Sequence, residues 1–355
     1  MAYRGVLCAC LALCVSSQCV AQSPTAGEPP FEAKALSDDL DHPVALLPSP
    51  DQDGVLYVVE RDGTVEALRD GRLAEDPLLD VSGSVSSSQR HRLMAVAFHP
   101  DFRKNRLFYA YFVDVQGDAI VAQFKAMPNE AADTDSLVAT IKFAQTFPSQ
   151  NGGGMTFGPD GFLYVGTGNG GERADAASPN TLLGKILRIM PNEAGGYSPG
   201  PSDSTQARSD ANPEVWASGF FSPESLAFSA APGKLFVLDS RGDAGPSVFL
   251  VSAGGTPASA PKYTAARGAA LVGGVVCSPC AASSLKGHLV LADSASGQVF
   301  ALRENAGTLE RKDVTSVTRG KVTAIGLDRT GNLLAATDRG ELLEIAERSA
   351  TASKQ

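Results

Sequence analysis

Six times along this chain the same short pattern returns: an apolar pair, a turn built from Pro, Asp or Gly, a β-rich strand, a polar or Gly turn and a further apolar strand. The units are Pro50 to Val59; Phe98-His99-Pro100-Asp101 leading to Leu107 to Tyr111; Gly158 to Gly166; Phe228 to Val237; Lys286 to Asp293; and Asp328 to Ala336. Four are closed by a Gly-x-apolar-x-apolar strand: Gly63 to Leu68, Gly184 to Ile189, Gly297 to Leu302 and Gly340 to Ile345. A unit of roughly 45 to 70 residues, made of short strands with no sustained helical period, is the pattern of propeller blades. The expectation is an all-β, six-bladed β-propeller of four-stranded antiparallel blades. A ring of blades has an open seam, and unpaired sheet edges are a liability. Phe31 to Leu36 alternates at period two ahead of the first repeat, so it is expected to complete the last blade and close the ring.

The ends of the chain read differently. Met1 to Arg4 is a short cationic start, Gly5 to Val15 is apolar, and Cys19-Val20-Ala21 ends in small residues. That is the layout of a secretory signal peptide cleaved after Ala21, too short for a stable bilayer span. The expected organisation is a signal peptide over 1–21, a polar tether over 22–30, the propeller over 31–348 and a disordered tail over 349–355. The protein is therefore expected to be secreted or periplasmic, with no integral membrane segment after cleavage. A formal net charge of -9 argues against nucleic acid as a partner, because phosphate-binding surfaces need clustered Lys and Arg. Of six cysteines, four lie within residues 1–21, leaving Cys277-Ser278-Pro279-Cys280. In an oxidising compartment this pair reads as a local disulfide. A redox role would need a βαβ context and covalent haem a His after the second cysteine, where Ala281 stands.

The centre of the chain carries the most specific motif. Gln150-Asn151-Gly152-Gly153-Gly154, then Phe157-Gly158-Pro159-Asp160-Gly161 and Leu163-Tyr164-Val165-Gly166-Thr167-Gly168-Asn169-Gly170-Gly171, resembles the glucose/sorbosone dehydrogenase family, soluble aldose dehydrogenases that use pyrroloquinoline quinone (PQQ). Asp41-His42-Pro43, Glu60-Arg61-Asp62-Gly63, Arg92 to Phe102, Asn180 to Ile189 and Asn212 to Gly219 match further family motifs in order. The resemblance implies PQQ and calcium as cofactors and a sugar as substrate, oxidised at its anomeric carbon while a His removes the hydroxyl proton. Imidazole suits that task because its pKa lies near the working pH.

Several positions depart from the family pattern. Gln150 stands where the catalytic His is expected, and an amide accepts no proton near neutral pH. Gly154, Phe221 and Gln298 stand at three basic positions that the resemblance assigns to the cofactor, whose carboxylates call for forked Arg donors. Asn151 and Gly152 keep the family residues beside them. The family's acidic cluster after the fourth repeat is reduced to Asp239 and Asp243, and Asn169 replaces an Asp, so the metal ligands stay unassigned. Gln150, Gly154, Phe221 and Gln298 are expected to converge at one end of the channel, because equivalent turns of successive blades face the same way. His42 and His99 precede proline and fit turn roles, and His91 and His288 are too scattered for a ligand set. Phe220-Phe221 offers an aromatic sugar platform or core packing.

Three functions compete on this reading. One is an active PQQ-dependent aldose dehydrogenase. The second is a propeller with lost or impaired dehydrogenase activity and a retained mouth for a small sugar or an unknown protein or carbohydrate ligand, and the substitutions favour it. The third, a propeller lactonase, needs a clustered metal constellation that this sequence does not assemble.

Overall fold

The computed structural model describes residues 30–86, 93–127, 131–145, 150–171, 176, 178, 180–200, 212–229, 233–252 and 260–348. The leader and most of the tether, the tail over 349–355 and His91 lie outside the described residues. Six antiparallel sheets follow one another around a ring. Their innermost strands are Pro43–Pro48, Leu93–Phe98, Gly152–Phe157, Pro223–Phe228, Leu271–Val276 and Val322–Leu327, here blades 1 to 6. Each inner strand packs beside the next, and that of blade 6 beside that of blade 1. The propeller expected from the repeats is the fold observed.

The strands are apolar along their whole length because both of their faces are covered. Successive side chains point to opposite faces of a sheet, so each second strand divides its residues between two neighbouring blades. Leu163 and Val165 pack towards blade 2 while Tyr164 packs towards blade 4. Leu235 and Val237 face blade 3, and Phe236 and Leu238 face blade 5. The result is one hydrophobic cluster per blade interface, including the one between blades 6 and 1 that contains Leu40, Leu46, Leu334 and Ala336.

Ring closure follows the expected course. Phe31–Ser37 pairs antiparallel with Leu342–Glu347 as the outermost strand of blade 6, in register from Phe31 opposite Glu347. The Phe31 ring is fully buried, and its carbonyl accepts a hydrogen bond from the Thr315 hydroxyl of blade 5. The first and last blades are further stitched by Arg329, which pairs with Asp53 at 2.5 Å and donates to the Ser49 carbonyl. Blades 1 and 3 depart from a simple four-strand plan. The outer strand of blade 1 is split into Arg72–Leu73 and Leu79–Asp80, and that of blade 3 into Tyr197–Pro199 and Val215–Ser218.

Cys277 and Cys280 form a disulfide at a turn beside blade 6, where the Ala281 N–H donates to the Gly331 carbonyl. Among the described residues no helix is long and apolar enough to cross a membrane.

Candidate functional site at one end of the channel

In every blade the first residue of the inner strand pairs with the end of the second strand: Pro43 with Glu60, Leu93 with Phe112, Gly152 with Thr167, Pro223 with Asp239, Leu271 with Asp293 and Val322 with Thr337. One end of the channel is therefore built from twelve segments, the six leading into inner strands and the six turns that leave second strands. The Pro/Asp/Gly turns read from the sequence sit at the other end. His99 belongs there, its Nδ1 accepting the Asp101 N–H at 3.0 Å and facing the Asn105 amide at 2.9 Å. Burial holds its imidazole below the ordinary value.

The candidate mouth is best defined at blades 3 and 4. Gln150 has a left-handed backbone, φ 63°, and its carbonyl lies against Gly168, where an added Cβ would stand only 1.5 Å from that oxygen. Asn151 follows with its side chain fully buried, and neither its Oδ1 nor its Nδ2 has a hydrogen-bond partner among the described residues. Its carbonyl accepts the Tyr111 hydroxyl at 3.1 Å; burial holds that phenol protonated, well above its ordinary range. The Gly152 N–H donates to the Ser222 hydroxyl at 3.2 Å. Asn169 is equally buried, with its Oδ1 capping the Gly171 N–H and its Nδ2 without a partner among the described residues. Its N–H donates to the Phe221 carbonyl at 2.7 Å, which ties the central glycine loop to the turn entering blade 4.

That turn is held from below by Asp239. Its carboxylate is fully buried and accepts the N–H groups of Phe221 at 2.9 Å and Ser222 at 2.7 Å through Oδ1. Through Oδ2 it pairs with Arg241 Nε at 3.0 Å. Burial pushes the Asp239 carboxyl up, against the pull of the Ser222 N–H, the Arg241 charge and the Phe221 N–H. Arg241 donates from Nη2 to the Gly219 carbonyl at 3.4 Å. Its guanidinium carbon lies 5.6 Å from the Phe221 ring centre and 4.6 Å from that of Phe249, a cation over two aromatic faces.

The expected site residues are thus divided. Gln150, Asn151, Gly152 and Phe221 meet around the Gly168–Asn169 turn. Gly154 sits deeper in the inner strand of blade 3, and its Cβ direction runs into Leu226 at 2.8 Å and the Pro223 carbonyl at 3.0 Å; a side chain from there enters blade packing. Gln298 lies at the same end but in the third strand of blade 5, paired with Asp293, so a whole strand separates it from the channel wall. Phe220 is core, edge-on to Phe249 at 5.6 Å. Sequence reading passed over Arg241, whose only signal was its place in Asp239-Ser240-Arg241 at the end of an apolar strand.

A cluster of Asp41, His42 and Asp62 offers ligand atoms within 4.8 Å of one another at the blade 1 side, all three residues exposed.

A family model described as Glucose / Sorbosone dehydrogenase matches residues 40–256. Hedgehog-interacting protein from Homo sapiens is 27% identical over 334 residues, covering 83% of this chain and 46% of its own length. An aldose sugar dehydrogenase from Escherichia coli is 24% identical over 217 residues, covering 59% of this chain and 57% of its own. This chain thus spans about half the length of these curated relatives. The solved PQQ-bound form of an aldose sugar dehydrogenase from Streptomyces coelicolor shares the fold, with a TM-score of 0.72 at 21% identity over 89% of this chain and 99% of that one. By the family match and the propeller that bears it, the chain belongs to the glucose/sorbosone dehydrogenase family.

Proposed function

We propose that this chain is an exported member of its family that has lost the quinone-dependent oxidation of sugars and kept the channel mouth as a binding site for a small polyhydroxylated ligand. The carrying observation is Gln150. It occupies the position that the resemblance gives to the proton acceptor, and its left-handed backbone is wedged against Gly168. A carboxamide holds no proton-accepting site of useful basicity.

The residues offered to the cofactor do not fit a tricarboxylate. Positions 150, 154, 221 and 298 carry no charge, and Arg241, which reaches the same turn, is already neutralised by the buried Asp239. What the mouth retains is amide and aromatic: Asn151, Asn169, Gln150 and Phe221, groups that suit hydroxyls and sugar faces. The buried, unpartnered amide atoms of Asn151 and Asn169 support an external polar occupant, since a polar group buried without a partner costs about 1–3 kcal/mol. The N-terminal leader, a cationic start followed by the apolar run Gly5 to Val15, and the Cys277–Cys280 disulfide support export.

The test is dye-linked oxidation of a panel of aldoses with PQQ and calcium added in excess. No turnover above the protein-free control is expected. Sustained turnover of any aldose restores the dehydrogenase reading.

A further inference from the structure

The Arg241 guanidinium is fixed on one side only. Nε is bound by Asp239 and Nη2 by the Gly219 carbonyl, and the plane rests near the rings of Phe221 and Phe249. Nη1 has no partner among the described residues, and the side chain keeps 24% of its surface exposed. A guanidinium is a rigid fork of five donors, so anchoring one edge aims the other. The buried carboxylate beneath orients Arg241 and offsets its charge at longer range. Such an arrangement rewards a single anionic group at hydrogen-bonding distance and discourages a polyanion, whose remaining charges meet Asp239. The same hydrogen-bonded chain leads from Asp239 through the Phe221 N–H and carbonyl to Asn169, next to Asn151 with its unpartnered donor and acceptor.

Resting on the reading that the mouth is a binding site, we propose that its ligand is an acidic monosaccharide of the uronate class. Its carboxylate lies on the free edge of Arg241, its ring against Phe221, and its hydroxyls turn towards the Asn151 and Asn169 amides. Arg241 is then the residue that sets specificity for charge, and the Phe at position 221 is what lets a guanidinium from the neighbouring turn fold over it.

The test is titration calorimetry on the mature chain at low ionic strength, without PQQ, using glucuronate, galacturonate, glucose and galactose. Uronates are expected to bind at least about tenfold tighter than the matching neutral sugars, the scale of one charge-assisted contact, and to lose that margin as salt is raised. Arg241→Gln should bring uronate affinity down to the neutral level. Because that change leaves Asp239 buried and unpaired, Asp239→Asn combined with Arg241→Gln repeats the measurement with both charges removed and is expected to give the same loss. A wild-type chain that binds neither class, or both equally, overturns the inference, as does a preference that survives in the double variant. The oxidation assay reports separately: turnover with PQQ would end the non-catalytic reading without altering the uronate measurement.

Discussion

Asp239 gives the sharpest mechanical test of the mouth. Replacing it with Ala removes the acceptor of two backbone N–H groups, those of Phe221 and Ser222, and the partner of Arg241 Nε. Each N–H stranded without water costs about 1–3 kcal/mol, and removing one member of a buried ion pair costs about 3–5 kcal/mol. The two effects share the same carboxylate and do not add in full, so about 4 kcal/mol is the working figure for Asp239→Ala. Unfolding entropy of about 2.1 cal/mol/K per residue over the roughly 280 described residues gives about 0.6 kcal/mol/K, and hence a fall in Tm of about 7 °C. Asp239→Asn keeps an oxygen for both N–H groups, and Arg241, with 24% of its side chain exposed, can turn its freed donor to water, so the cost falls below that of a fully buried pair and a fall of about 2–3 °C is expected. Thermal melts followed by circular dichroism at neutral pH read both. If Asp239→Ala melts within 1 °C of wild type by that measure, or if the Asn variant is the worse of the two, the carboxylate is not what holds the turn.

Three further outcomes are expected. Gly168→Ala forces a Cβ onto the Gln150 carbonyl, 1.5 Å away; the Gln150 turn must move, and ligand binding at the mouth should be lost with a destabilisation of several kcal/mol, whereas unchanged binding would separate this turn from the site. Burial lowers the His99 pKa from its ordinary 6.5; the unfolded chain therefore takes up the proton first as pH falls, so stability should be level above about pH 6.5 and fall as pH drops below it, a slope that His99→Gln should flatten in pH-dependent melts. Phe31→Ala empties a fully buried site at the closing strand and should cost about 3–5 kcal/mol, seen as an early melt; a wild-type melting point would mean that closure does not depend on that ring.

The fold was legible because its physics is repetitive. A strand covered on both faces must be apolar at every position, so runs such as Val55-Leu56-Tyr57-Val58-Val59 announce themselves, and the Gly-x-apolar-x-apolar closers mark the third strands and, in blade 6, the strand that Phe31–Ser37 joins. The split outer strands were not legible, since pieces such as Arg72–Leu73 and Leu79–Asp80 are too short to carry a period. At the site, position 150 could be read because it sits inside a contiguous motif. Gly154 could not be placed from its spacing, because the pairing shifts register between Gly152 and Met155 and turns its Cβ direction into the blade interface. Arg241 escaped notice because its role rests on Asp239 gripping a turn 17 and 18 residues earlier, a relation with no local signature.

The pairing of Phe31 with Glu347 also sets an order of events. The strand that completes blade 6 is among the first parts of the domain to be synthesised, yet its partner strand is the last. Until Leu342–Glu347 is available, blade 6 lacks its third strand as well as its fourth, and the cluster that joins Leu40 and Leu46 to Leu334 and Ala336 lacks Leu342. Five blades can therefore be laid down along the growing chain by local contacts, while the circle itself waits for a contact spanning nearly the whole domain. Loop-closure cost grows only slowly with length, so the delay is one of timing more than of energy. A circular permutant that opens the chain between Ser37 and Pro43 would place Phe31–Ser37 directly after Leu342–Glu347 and turn that long-range closure into a hairpin.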